Sequence, residues 1–247
     1  MKADELDLLG LVSASSDKVL GLAVTAVEFS PALLPIVGGV VKAGPTPLLA
    51  GAVASLAGAG AVTTQNVTDP TIGPEVLGLM AKGHDAETAI KTVMADRPHA
   101  DYRQVAAVDL HGGTGVFTGQ EILGKNAVNQ GRDGGGAGNL LSRVEVIPAM
   151  TDAFEQGHDL HLAERLTRAL IAALDAGGEE GPTHSAALIV AHERPWPLVD
   201  LRIDWTDDCP GQMLLNLWEN YKPQMNDYLT RAIDPSAAPS YGVPGDE

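Results

Sequence analysis

Gly60-Ala61-Val62-Thr63-Thr64-Gln65-Asn66-Val67-Thr68-Asp69-Pro70-Thr71-Ile72-Gly73-Pro74 is the stretch that decides the reading of this chain. A short apolar run ending in Thr-Thr-Gln-Asn reads as a buried strand whose last residues turn hydrogen-bonding groups toward a cleft, and Asp69-Pro70 then opens a helix. Strand-to-helix corners of this kind are where α/β proteins place their chemistry. Thr64, Gln65 and Asn66 offer a hydroxyl and two amides to a small polar ligand or a developing oxyanion. The same residues can instead form an Asx-type turn that satisfies its own backbone.

Four companions stand further along: Tyr102-Arg103-Gln104-Val105, Val116-Phe117-Thr118-Gly119, Gly138-Asn139-Leu140-Leu141 and Val199-Asp200-Leu201-Arg202-Ile203-Asp204. In this order and with these flanks, the five segments resemble a bacterial family catalogued as domain of unknown function 1028 and regarded as Ntn-hydrolase-like in fold. The resemblance covers Leu8 to Leu229. It implies an α/β (α+β) protein, a four-layer αββα sandwich with a cleft, and it favours a functional reading of Thr64 to Asn66. It brings no substrate with it. An Ntn-type enzyme exposes Thr, Ser or Cys as its first residue and uses the free α-amino group as base. The resemblance places Leu8 where members beginning Met-Thr put a hydroxyl, and leucine is no nucleophile. Two readings follow: an amidohydrolase lacking the usual terminal nucleophile, with Thr64 and Asn139 as catalytic candidates, or a non-catalytic relative that binds a ligand or acts in assembly.

The element order points to the same architecture. Leu8–Ser13 and Val19–Val27 read as an opening hairpin, and Phe29–Val41, broken by Pro31, Pro35, Gly38 and Gly39, follows without a clear element. A small-residue helix is expected over Leu48–Leu56. Pro70–Lys82 and Ala86–Ala95 read as paired helices, the second begun after Asp85. Val105–Leu110 and Gly115–Thr118 are strands; Val144–Phe154 and Leu160–Ala176 are a second helix pair with Asp159 as cap; Ser185–Ala191 and Leu198–Asp204 are closing strands. Met213–Ile233 is a helix kinked at Pro223. Strand pairs alternating with helix pairs is the order of two stacked sheets between helical layers. Residues 1–234 read as one domain and 235–247 as an irregular tail.

Lys+Arg number 16 and Asp+Glu 32, a formal charge of −16, which repels phosphate backbones and anionic lipid and so excludes nucleic acid and membrane surfaces as partners. The uncharged stretch after Lys42 is too rich in Gly, Ala and Pro for a lipid-facing helix. Cys209 is the only cysteine, and the acidic opening Met1-Lys2-Ala3-Asp4-Glu5 is the reverse of a secretory signal, so a cytoplasmic location is expected.

Arg103 and Asp109 bracket one strand on a shared face, and Arg103 can clamp a carboxylate or phosphate. Both can equally be structural ion-pair partners. Gly134-Gly135-Gly136-Ala137-Gly138-Asn139 reads either as a flexible loop or as amides around an anion, with Gly138 as a ligand-binding residue; the preceding Asn129–Asp133 does not read as a strand. His158-Asp159-Leu160-His161 has ligand-like spacing but no third ligand, so neither metal nor cofactor is expected. The expected partner is a small polar metabolite. The apolar helix bearing Leu214, Leu215, Leu217, Trp218, Tyr221, Met225 and Tyr228 is a candidate for a homodimer contact, with core packing as the alternative.

Overall fold

The computed structural model describes residues 22–28, 37–44, 53–131 and 134–245. They form a mixed α+β fold with two antiparallel sheets. The larger sheet has the order β10-β9-β2-β1-β8-β7, where β1 is Leu22–Glu28, β2 Val37–Gly44, β7 Ala127–Gly131, β8 Gly134–Gly138, β9 Ser185–Ala191 and β10 Pro197–Ile203. The smaller has the order β3-β4-β5-β6, with β3 Val53–Leu56, β4 Gly60–Asn66, β5 Arg103–Asp109 and β6 Thr114–Thr118.

Helices α1 (Ile72–Met80) and α2 (Ala86–Met94) bury Ile72, Val76, Met80, Ala89, Ile90 and Met94 against Val62, Val105 and Ala107 of the smaller sheet. The Asp85 carboxylate accepts from Thr88 N at 2.7 Å and so starts α2 as its cap. On the larger sheet lie α3 (Val146–Gln156), α4 (Leu162–Asp175) and α5 (Pro210–Tyr221). Leu162, Leu166, Leu170 and Ala173 of α4 form an apolar stripe at helical spacing, packed with Leu188, Val190 and Val199. The expected cap Asp159 is exposed; His161 caps α4 instead, its Nδ1 accepting from Ala163 N at 3.2 Å. The long C-terminal helix is interrupted as expected: a 3-10 turn at Lys222–Gln224, carrying Pro223, separates α5 from α6 (Met225–Ile233).

The sheets touch one another as well. β4 contacts β1 and β2, β3 contacts β2 and β9, and β5 contacts β8. Val53, Ala61 and Val108 of the smaller sheet meet Ala187 and Ile189 of the larger in one buried cluster.

Three expectations are corrected. Val53–Leu56, expected in a helix, is strand β3, because β4 offers it an edge and cross-strand pairing outweighs the helix preference of alanine. The remainder of that segment, like Leu8–Ser13, Leu8 itself and the start of Val19–Val27, lies outside the described residues. The glycine run is not a loop but β8, paired with β1 on one side and β7 on the other. Its preceding residues 127–131 are a strand too. Glycine is needed because α3 lies directly on it: a Cβ at Gly136 would stand 2.8 Å from Met150 Cε and 3.1 Å from Thr151 Cγ2.

Residues 235–245 carry no helix or strand, and Tyr241 there covers the Arg231 guanidinium, 3.8 Å from the ring centroid. No helix among the described residues is long and apolar enough to cross a membrane.

Candidate functional site

Strand alternation sorts the side chains of β4. Ala61 packs toward the larger sheet and Val62 toward α1 and α2, so Thr63 and Gln65 share the inter-sheet face while Thr64 faces the helices. On β5, Val108 faces the larger sheet, and Gln104 lies four positions back on the same face. Gln65 and Gln104 are register partners, and Gln65 Nε2 donates to Gln104 Oε1 at 2.6 Å. Across the gap, Lys42 of β2 is the partner of Ala187, which faces the smaller sheet. The space between the sheets therefore grades from Ala61 and Val108 at one end to Lys42, Thr63, Gln65 and Gln104 at the other.

Lys42, Thr63, Thr64, Gln65, Asn66, Gln104 and Asn139 are all buried. Lys42 Nζ donates to Thr64 O at 3.0 Å. Asn66 ends β4 in a left-handed conformation, φ 72°, which turns its amide to the chain that follows β8. Asn139 Nδ2 donates to Asn66 Oδ1 at 3.3 Å, Leu123 N donates to the same oxygen at 3.2 Å, and Asn66 Nδ2 donates to Tyr102 O at 2.8 Å. The polar tip of β4 and the exit of the glycine strand thus meet.

Glu179, between α4 and β9, bridges Leu141 and is also buried. Burial drives Lys42 down to about 7, partly opposed by the Glu179 charge, and drives Glu179 up to about 8, partly opposed by Lys42. Both shifts favour the neutral forms. Thr63 Oγ1, Thr64 Oγ1, Gln65 Oε1 and both Glu179 carboxylate oxygens are buried without a protein hydrogen-bond partner. An unsatisfied buried polar atom costs about 1–3 kcal/mol, and such atoms collect where a protein keeps them for binding or chemistry.

The structure sets Thr64, Gln65 and Asn66 at the tip of β4 and brings Asn139 to Asn66, with the Thr64 side chain on the helix face away from Gln65, and it separates the other candidates. Arg103 opposes Asn66 in register and donates from Nη1 to Val67 O, yet its side chain lines a surface cavity of about 550 Å³ with Asp69, Arg97 and His99. Arg97 there is held by Asp69 at 2.8 Å and Glu75 at 2.7 Å. Gly138 is paired with Leu22 and Ala127, its backbone committed to the sheet. Asp109 sits at the far end of β5, opposite Gly60. Its Oδ2 accepts from Ala86 N at 3.0 Å, and its Oδ1 accepts from His111 N at 2.8 Å and Gly113 N at 3.0 Å. That carboxylate starts α2 and fastens the β5–β6 turn. Asp109→Ala is accordingly expected to lower stability by about 3 kcal/mol, the cost of stranding three backbone donors, while leaving the Gln65–Asn139 region intact. Urea unfolding checks the loss; a change under 1 kcal/mol would count against this role.

Sequence reasoning passed over Lys42, Thr63, Gln104 and Glu179. Lys42 had a signal: it is the only charged residue between Glu28 and Asp69, and a lone charge in an apolar stretch is either exposed on purpose or buried on purpose. Glu179 had none, standing beside Glu180 after two glycines like any solvated turn.

Among proteins of known sequence and structure, a family described as "family of unknown function (DUF1028)" matches residues 34–214. The crystal structure of protein SPO2555 from Silicibacter pomeroyi, assigned to that same family, is similar at 32% identity with a TM-score of 0.73, over 82% of this chain and 89% of that one. No curated protein matches the chain.

Proposed function

The chain belongs to the DUF1028 family, whose function is unknown, and from that premise we propose that its sheets and helices form a four-layer αββα sandwich of the Ntn-hydrolase-like kind, with a site for a small polar metabolite at the polar end of the inter-sheet layer. The reaction is hydrolysis of a carbon–nitrogen (amide) bond. Amide hydrolysis needs a proton acceptor for the attacking hydroxyl or water, donors for the developing oxyanion, and a dry setting that strengthens both. Lys42, held near neutrality, is the acceptor; the Thr63 hydroxyl, on the same inter-sheet face, is the group it serves; the amides of Gln65 and Asn139 orient the substrate. The choice of reaction rests on fold-level analogy, and the site rests on chemistry. One observation carries it: a lysine pushed down to about 7 shares a buried layer with hydroxyl, amide and carboxylate oxygens that have no protein partner. The cytoplasmic location belongs to the same proposal.

A screen of small amides and ureides is the test. Turnover is expected in the intact chain, with a fall of roughly 10²–10⁴-fold in Lys42→Met, the usual contribution of a general base. Thr63→Ala and Thr64→Ala then separate the hydroxyls. An absence of turnover, or turnover indifferent to all three substitutions, overturns the enzymatic reading.

A second reading, a binding protein without catalysis, is favoured by the amide pairs Gln65–Gln104 and Asn66–Asn139, which form without any substrate and leave Gln65 Oε1 open to a ligand. A ligand from the same screen that raises the melting temperature without being consumed selects this reading.

A further inference from the structure

We infer that the free edge of β10 is the contact through which two copies of this chain form a symmetric dimer. Among the described residues, β10 pairs only with β9 and ends the six-stranded sheet. A long unpaired edge invites another strand, and proteins blunt such edges with charges, proline or a β-bulge. In β10, Pro197, the register shift between Pro197 and Val199 and the Tyr221 hydroxyl donating to Leu198 O at 2.8 Å occupy the start of the strand, which leaves Val199–Ile203 as the run open to a partner. Here the outward charges alternate in sign. Asp200 and Arg202 lie on the exposed face of the strand, Arg202 Nε donating to Asp200 Oδ1 at 2.9 Å within one chain. In an antiparallel pairing about a two-fold axis through Leu201, Asp200 of each copy stands directly opposite Arg202 of the other, and Val199 opposite Ile203. Opposite charges facing across strands stabilise the pair. Moving the axis by one residue, onto Asp200 or onto Arg202, sets like charges face to face, so the sequence selects one register.

The same axis names an occupant for an apolar groove. Beside the start of β10 lies a cavity of about 270 Å³ lined by Trp196, Pro197, Leu198, Tyr221 and Tyr228. Trp196 and Tyr228 are each 43% exposed, and Trp205, just past the other end of β10, is 56% exposed. Beyond Ile203 the chain leaves the strand and carries Trp205 of one copy toward the start of β10 in the other, on the side of that groove. The symmetry does this twice, as an isologous interface must. Trp205, stacked on His184 of its own chain with ring centroids 4.2 Å apart, and Tyr228, stacked on Tyr221, thereby acquire cover for the faces that stay exposed at the two ends of a five-residue ladder.

Sedimentation velocity on the full chain tests this. The expected mass is twice the 25.6 kDa of one chain at micromolar concentration. Arg202→Asp places acids opposite one another on both sides of the axis and is expected to weaken the dimer at least tenfold. The double exchange Asp200→Arg with Arg202→Asp restores complementarity and is expected to bring the dissociation constant back to within about threefold of the parent. Trp205→Ala also weakens association, with a loss of the fluorescence shift that accompanies dilution. Asp200, Arg202 and Trp205 are surface residues, so circular dichroism of the variants should match the parent. A parent that sediments as a monomer at high micromolar concentration overturns the inference. So does a dimer indifferent to Arg202→Asp, which would place the contact elsewhere, or a double exchange that fails to rescue. A groove that binds an unrelated apolar peptide while the chain remains monomeric does the same.

Discussion

Lys42→Met is expected to raise the melting temperature at pH 6 by about 4–8 °C, the shift that roughly 2 kcal/mol produces in a chain of this size. Lys42 is buried between the sheets, with Thr64 O as its hydrogen-bond acceptor. At pH 6 the lysine, at about 7, is charged, whereas Glu179, pushed up to about 8, is protonated and offers no counter-charge. The folded protein then carries the full cost of a desolvated ammonium. Exchanging a buried ionic group for an apolar one of similar length is commonly neutral or stabilising by about 1–4 kcal/mol, and one orphaned carbonyl subtracts about 1 from that. The pH dependence fixes the cause. An unfolded lysine keeps its proton up to its ordinary value of 10.5, while the folded one loses it near 7, so the unfolded state binds more protons in between. The lysine penalty is therefore complete below pH 7 and fades as pH climbs toward 10.5. Glu179 behaves oppositely, its penalty growing from its ordinary 4.5 to about 8. The difference in melting temperature between variant and parent should be largest below pH 7 and close above it. A variant that melts lower than the parent at pH 6, or a difference that grows with pH, sinks the assignment.

Gly60→Ala is expected to cost more than about 3 kcal/mol, at the severe end of single substitutions. Gly60 begins β4 with φ 138°, a conformation closed to ordinary side chains, and a Cβ there would stand 2.0 Å from Val108 O and 3.1 Å from Asp109 Cα. Those neighbours are backbone of the paired strand and cannot turn aside. Any accommodation must push β4 off β5, and with it the row from Thr63 to Asn66. Gly58→Ala is the control. Gly58 also has positive φ, 76°, but nothing lies within 4 Å of its Cβ position, so only the left-handed penalty of about 1 kcal/mol applies. Urea midpoints for the two variants should differ accordingly. Equal losses would mean that conformation alone, and not the close approach, accounts for Gly60.

The helices were legible because their signals are local. Asp85 before Ala86, Pro223 inside an apolar helix and the spacing of Ile72, Val76 and Met80 each act within a few residues. The meeting of Asn66 with Asn139, 73 positions apart, could be anticipated only from the resemblance, since nothing in the sequence between them dictates it. What stayed hidden was set by distant partners. Val53–Leu56 is a strand because β4 lies beside it, and the glycines of β8 are a strand because β1, β7 and α3 close on them. Asp109 looked like a binding carboxylate because its charge is visible in the sequence, whereas the three amides that engage it come from a turn and a helix start. Lys42 stands at the border of an uncharged stretch in the sequence, yet in the fold its ammonium donates to Thr64 O inside that stretch.

A strand made almost wholly of glycine holds no lettering by which its neighbours could tell one position from the next. What it can transmit is a count. Gly134 to Gly138 measure out the distance from the start of β8 to Asn139, and parity decides which way that amide looks. Adding or removing a single glycine would leave every other side chain in the chain unaltered and still turn Asn139 away from Asn66, so in this stretch length itself is the inherited message.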